Sequence, residues 1–114
     1  MTYVITGDCV DIMDRSCVAV CPVDCIYTGD RKLYINPAEC IECGACETEC
    51  PVESIALEAD VEPGDQVHIT DNAAFFYEIL PGRDAPLGDP GGADRLGPVP
   101  ADTPLVAALP GREP

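Results

Sequence analysis

The stretch Cys40-Ile41-Glu42-Cys43-Gly44-Ala45-Cys46-Glu47-Thr48-Glu49-Cys50-Pro51 decides how this chain folds. Its spacing is Cys-x2-Cys-x2-Cys-x3-Cys-Pro. Three thiolates set at intervals of three on a tight loop reach three corners of one iron–sulfur cube, while the fourth, a helical turn further on, points away and serves a second cluster. Gly44 withdraws a side chain where the loop must approach inorganic sulfide, and backbone N–H groups there can donate to the cluster. Pro51 turns the chain away after the last ligand. The rival is zinc, which in structural sites takes four ligands from two separated pairs. Here four cysteines fall within 11 residues and end on Cys-Pro, so the reading is iron–sulfur.

Working outward from this run, an internal repeat emerges. Cys17-Val-Ala-Val-Cys21-Pro22-Val23 matches Cys46-Glu-Thr-Glu-Cys50-Pro51-Val52, so two related halves imply two related sites. The first half is degenerate: the template asks for cysteines at 14 and 11, where the chain has Asp14 and Asp11, and Cys9 lies two residues further upstream. Exchange of the fourth ligands between halves joins Cys21 to Cys40, Cys43 and Cys46, a complete set for a 4Fe-4S cluster. Cys50 joins Cys9 and Cys17, three thiolates that suit a 3Fe-4S cluster. Asp14 as an oxygen ligand to a fourth iron is the alternative.

The pattern Cys9-x7-Cys17-x3-Cys21-Pro22 followed by the run at 40–51 resembles the bacterial seven-iron ferredoxins, over residues 2 to about 60. The resemblance implies an α+β, ferredoxin-like two-cluster fold with short antiparallel sheets, two short helices flanking the clusters, and a C-terminal helix with an irregular tail. It implies one 3Fe-4S and one 4Fe-4S cluster. A flavin-dependent ferredoxin reductase is the implied donor, with haem-thiolate monooxygenases among the acceptors. Cys25 is left over, and in that family a cysteine at this place lies beside the 4Fe-4S cluster without ligating it. Here it is read as a buried inert thiol, or as a substitute ligand after cluster damage.

Composition agrees with a small metal-stapled protein. The 114 residues contain no Trp and only six Phe or Tyr, while all eight cysteines fall within the first 50 residues. The N-terminal residues carry no basic segment leading into an apolar run, and no stretch approaches the roughly 20 apolar residues of a membrane helix. A cytoplasmic protein in a reducing compartment is expected, where clustered cysteines bind metal more often than they form disulfides. The net charge of −15 disfavours nucleic acid. Sixteen acids and three bases lie in residues 1 to 80, which suits docking to a basic protein surface or plain solubility.

Three segments are expected: a two-cluster domain over 1–60, a linker and C-terminal helix over 61–80, and a Pro/Gly-rich extension over 81–114. Residues 2–6 read as a strand, 55–60 as the strand returning to it, and 25–35 as a hairpin turning near Gly29-Asp30. Asp71 is expected to cap a helix over 71–80 that stops at Pro81-Gly82. Phe75, Phe76, Ile79 and Leu80 would form its apolar face, packed as core or used as a docking stripe. The extension is expected to be irregular, with a local contact among Leu105, Val106 and Leu109. His68 is read as a surface or packing residue, and Tyr3, Tyr27 and Tyr34 as covers of the clusters.

No nucleophile with its base, no glycine-rich phosphate loop and no open metal position is recognisable, so a non-enzymatic role is expected. One-electron transfer by a monomeric carrier through transient docking follows. The rivals are an iron–sulfur subunit of a larger redox enzyme and an iron–sulfur sensor or store.

Overall fold

A computed structural model of the chain describes residues 2–7, 10, 16–41, 44–50 and 54–109. Cys9, Asp11, Asp14, Cys43 and Glu53 lie outside the described residues. The elements are β1 (Tyr3–Ile5), α1 (Ser16–Val20), β2 (Ile26–Thr28), β3 (Leu33–Ile35), α2 (Ala45–Glu49), β4 (Ile55–Leu57), α3 (Val67–Tyr77), α4 (Ala93–Leu96) and α5 (Pro104–Ala107). This is the expected α+β arrangement, with two two-stranded antiparallel sheets, β1 with β4 and β2 with β3. Among the described residues no helix is long and apolar enough to cross a membrane.

β1 and β4 pair with Val4 opposite Ala56. The ladder is prolonged by Thr6 N–H to the Ser54 carbonyl and Glu58 N–H to the Thr2 carbonyl, both at 2.8 Å. The strand expected over 55–60 ends at Leu57, and beyond the Glu58 bond to Thr2 the residues Glu58–Asp60 wind into a 3-10 turn. In the hairpin, Gly29 N–H donates to the Lys32 carbonyl at 2.9 Å. Gly29 is required for space: a Cβ there would lie 2.6 Å from the Tyr34 ring and 2.8 Å from Asp102 Oδ1.

Strand alternation divides the interior in two. Ile26 and Ile35, cross-strand partners, face a core with Ile5, Cys17, Cys25 and Cys46. The next pair, Tyr27 and Tyr34, faces a second core with Phe75, Phe76, Val99 and Val106. Among the described residues the pleat turns both rings away from Cys17, Cys25 and Cys46, so the expectation that Tyr27 and Tyr34 cover the clusters is corrected on that side, while Cys9 lies outside the described residues. Tyr3 does stand on the cysteine side.

The C-terminal helix begins earlier than expected. Pro63 opens a 3-10 turn over Pro63–Asp65 that runs through Gln66 into α3, so Asp71 lies inside the helix rather than capping it. Asp71 is buried, and its carboxylate accepts from Thr103 Oγ1 at 2.9 Å, a tertiary contact that local sequence does not announce. α3 stops at Tyr77, with Glu78 extended. Pro81 disfavours helical conformation at Leu80, which reaches the second core while Ile79 stays 59% exposed. The expected apolar face thus holds at Phe75, Phe76 and Leu80 and fails at Ile79. The helix also supplies Asn72, whose Oδ1 accepts from Ile35 N–H at 2.9 Å and whose Nδ2 donates to the Ile35 carbonyl. This side-chain amide serves the edge of β3 as a neighbouring strand would.

The Pro/Gly-rich residues are more ordered than composition suggests. Val99 and Val106 are buried in the second core and Leu109 packs against it, so the expected local contact holds for Val106 and Leu109, without Leu105, and extends beyond the tail. Asp102, also buried, accepts from Tyr34 Oη at 2.8 Å and Arg31 N–H at 2.9 Å. The Arg31 guanidinium donates to the carbonyls of Val106 and Leu109 at 2.8 and 2.7 Å. Thr103 Oγ1 caps α5 by accepting from Val106 N–H. These hydrogen bonds offset an ordering cost that hydrophobic burial in the tail would not meet alone.

Candidate iron–sulfur site

The sequence repeat is also a structural one. Cys17 and Cys46 are each the second residue of a five-residue helix, and both are buried. Cys21 and Cys50 follow the ends of these helices, where Cys21 N–H donates to the Val18 carbonyl and Cys50 N–H to the Glu47 carbonyl, each at 3.4 Å. α1 and α2 pack against each other. Four residues beyond each terminal cysteine a backbone N–H returns to its sulfur: Cys25 N–H to Cys21 Sγ at 3.4 Å, and Ser54 N–H to Cys50 Sγ at 3.3 Å. Such donors stabilise thiolate ligands and tune the metal they bind.

Cys21, Cys40 and Cys46 line one pocket together with Tyr3, Ile35 and Gly44. One thiol comes from the first half of the repeat and two from the second. Cys50 does not line it, nor does Cys17. Among the described residues no three His, Cys, Asp or Glu side chains meet closely enough to bind a single ion. Thiols from both halves of the repeat lining one pocket suit a cluster. Gly44 has φ +79°, and a Cβ there would lie 3.0 Å from the Tyr3 hydroxyl. The glycine thus keeps both the backbone turn and the close approach of Tyr3.

Cys25 also lines the pocket, with its sulfur 3.5 Å from Cys21 Sγ. It occupies the place that Ser54 takes in the second half. Burial, then the neighbouring Cys21, pushes the Cys25 thiol up, favouring its protonated form. His68 is buried against Gly7, where a Cβ would meet its Nε2 at 3.0 Å, a packing role as expected.

Glu47 and Glu49 are exposed beside Cys46 and Cys50. Asn36, which the motif reading passed over, organises the turn leading into Cys40: its Oδ1 accepts from Ala38 and Glu39 N–H at 2.9 and 3.1 Å. The Asn36-Pro37 dipeptide ahead of the cysteine was the available signal.

Residues 33–56 match the family model for the 4Fe-4S binding domain. The chain is 62% identical over 110 residues to a ferredoxin of Mycobacterium tuberculosis, covering 96% of each. It is 49% identical over 109 residues to a ferredoxin of Streptomyces griseus, again covering 96% of each. A protein of Hydrogenibacillus schlegelii named ferredoxin 7Fe is 50% identical over 76 residues, 67% of this chain and 97% of that one. A thiol-lined site of this kind, with these relatives, defines an iron–sulfur protein of electron transport. The chain belongs to the family of bacterial seven-iron ferredoxins.

Proposed function

We propose that this ferredoxin holds a 3Fe-4S cluster on Cys9, Cys17 and Cys50 and a 4Fe-4S cluster on Cys21, Cys40, Cys43 and Cys46. The observation that carries this partition is the shared pocket: Cys21 lines it with Cys40 and Cys46, whereas Cys50, from the same half as those two, does not. Residues 1–60 act as the cluster domain, with 61–80 and 81–114 as its packed extensions. Each cluster supplies reversible acceptance of one electron. The chain's own residues contribute thiolate ligands, N–H donors to sulfur and the apolar walls that set potential. The protein works as a soluble cytoplasmic monomer, taking electrons from a flavin-dependent reductase and passing them to acceptors such as haem-thiolate monooxygenases.

Purified without oxygen, it is expected to contain about seven irons per chain, three on one thiolate set and four on the other. The oxidised form is expected to show the paramagnetic resonance of a 3Fe-4S centre. An iron count near eight without that resonance, and a spectrum altered by Asp14→Ala, would transfer the assignment to aspartate ligation.

The acids beside the site suit a partner with a basic docking face. If they steer encounter, the second-order rate with such a partner falls steeply as salt shortens the Debye length below about 10 Å. Replacing Glu47, Glu49 and Glu53 by glutamine is expected to slow association and flatten this dependence, with transfer inside the formed complex little changed. Stopped-flow kinetics over a salt series measures both. A rate indifferent to salt and to the triple substitution would leave these acids a solubility role alone.

A further inference from the structure

Asn36 has no solvent exposure, and its hydrogen bonds reach three separate segments. Its N–H donates to the Cys25 carbonyl at 2.9 Å, and its own carbonyl accepts from Cys40 N–H at 3.1 Å. The side-chain Oδ1 closes the turn at Ala38 and Glu39. The Nδ2 donates outward to the Gly88 carbonyl at 3.2 Å and to Asp89 Oδ1 at 3.0 Å. An interior amide with both its oxygen and its nitrogen engaged fixes the geometry around it, because losing either partner leaves a buried polar group unsatisfied.

The tail segment it grips touches the site at three further points. Glu39, the residue before Cys40, accepts from Gly91 N–H at 2.7 Å through one oxygen and from Tyr27 Oη at 2.6 Å through the other. Gly92 N–H donates to Tyr27 Oη at 2.9 Å. Ala93 N–H donates to the carbonyl of Asp24 at 2.7 Å, and Asp24 has φ +53°, a conformation uncommon for a non-glycine residue. Residues 88–93 therefore bind the loop between Cys21 and Cys25 at one end and the turn before Cys40 at the other. Among the described residues none of these hydrogen bonds involves Cys17, Cys50 or Ser54.

We propose that Asn36 is a positioning residue for the four-iron centre, and that residues 88–93 are the brace through which it holds the two ligand loops, those of Cys21 and Cys40, at a fixed separation. The proposal rests on the ligand partition above. Its consequence is asymmetric: loosening the brace weakens the hold on one cluster and leaves the other alone. The tail is then part of the electron-transfer site, although it carries no ligand.

The test uses the full-length holoprotein under anaerobic conditions, following iron transfer to a chelator by absorbance and the 3Fe-4S resonance in the same samples. Asn36→Ala is expected to speed iron release from the four-iron centre by about ten- to a hundredfold, the usual cost of removing a group that orients a metal ligand. The 3Fe-4S resonance should persist. Asn36→Asp keeps the acceptor for Ala38 and Glu39 but sets an oxygen against Gly88 and Asp89. It is expected to give a smaller acceleration and to move the midpoint potential of the four-iron centre alone. Should Asn36→Ala fail to fold, Asp89→Ala removes one of the two tail acceptors of Asn36 Nδ2 from an exposed position and is expected to show the same selectivity with a smaller acceleration. Tyr77→Phe removes only the Tyr77 Oη bond to Asp89 and should leave the rate unchanged. Equal acceleration for both clusters, or none for either, would overturn the proposal. The iron count of the unsubstituted protein tests the partition separately, so the two ideas fail in different samples.

Discussion

Stripping iron from the protein is expected to abolish its cooperative thermal transition. Among the described residues no strand exceeds three residues, and α1 and α2 have five each, far below the length at which an isolated helix persists in water. What holds these pieces in register is a core in which Cys17, Cys25 and Cys46 sit among Ile5, Ile26 and Ile35, so two of the proposed ligands, Cys17 and Cys46, are core side chains. On the ligand partition proposed above, each cluster would take ligands from both halves of the repeat and cross-link segments distant in sequence, so that its binding free energy becomes folding free energy. The loss is not confined to that side. β2 and β3 present Ile26 and Ile35 to the cysteines and Tyr27 and Tyr34 to the aromatic core, so once one face loosens the other loses its floor. Circular dichroism of the reduced apoprotein should show a largely disordered chain, and rebuilding the clusters should restore the spectrum. A cooperative melt of the apoprotein would contradict this account.

The cysteine half was legible because its constraint is local. Cys-x2-Cys-x2-Cys-x3-Cys-Pro states which residues must converge, and the positions of Cys17 and Cys46 within α1 and α2 reproduce the repeat read from the chain. The strands at 3–5 and 55–57 and the turn at Gly29 followed from β-branched and glycine residues in expected places. Errors arose where a side chain answers to something far away in sequence. Asp71 looks like a helix cap because it precedes Asn-Ala-Ala, yet its partner is Thr103. Tyr27 and Tyr34 lie near cysteines along the chain, but strand alternation sends them to Phe75 and Phe76.

The tail was least legible for a related reason. Composition describes its low apolar content correctly, but the residues that order it include Arg31, Tyr34, Asn36 and Glu39 in the cysteine half, with Asp71 and Tyr77 of α3. Their hydrogen bonds go to backbone carbonyls, N–H groups, a hydroxyl and single carboxylates, none of which leaves a periodic trace. Asn36 is the instructive case. Asn-Pro announces a turn, but only the structure ties that turn through Gly88 and Asp89 to a segment some 50 residues away.

The aromatic core should show the largest effect of any single substitution distant from the cysteines. Phe75 is fully buried, stacked on Tyr34 with ring centroids 3.8 Å apart and planes 8° from parallel, and it meets Phe76 edge-on at 5.1 Å. Phe75→Ala removes this packing and opens a cavity between α3 and the hairpin, a change that costs about 3–5 kcal/mol. For a domain of this size the loss corresponds to a fall in melting temperature on the order of 10–20 °C. Ile79, four residues on and 59% exposed, supplies the contrast: Ile79→Ala should stay within about 0.5 kcal/mol of the unsubstituted protein. Among the described residues the core in which Phe75 packs contains no cysteine, so the folded fraction of the variant should keep its iron–sulfur spectrum unchanged. Anaerobic melts of the holoprotein, followed by visible absorbance at a fixed scan rate, compare the variants directly, because cluster loss makes the transition a rate rather than an equilibrium. If Phe75→Ala melted as Ile79→Ala does, α3 would be loosely docked, and its phenylalanine stripe would be better assigned to a partner than to the core.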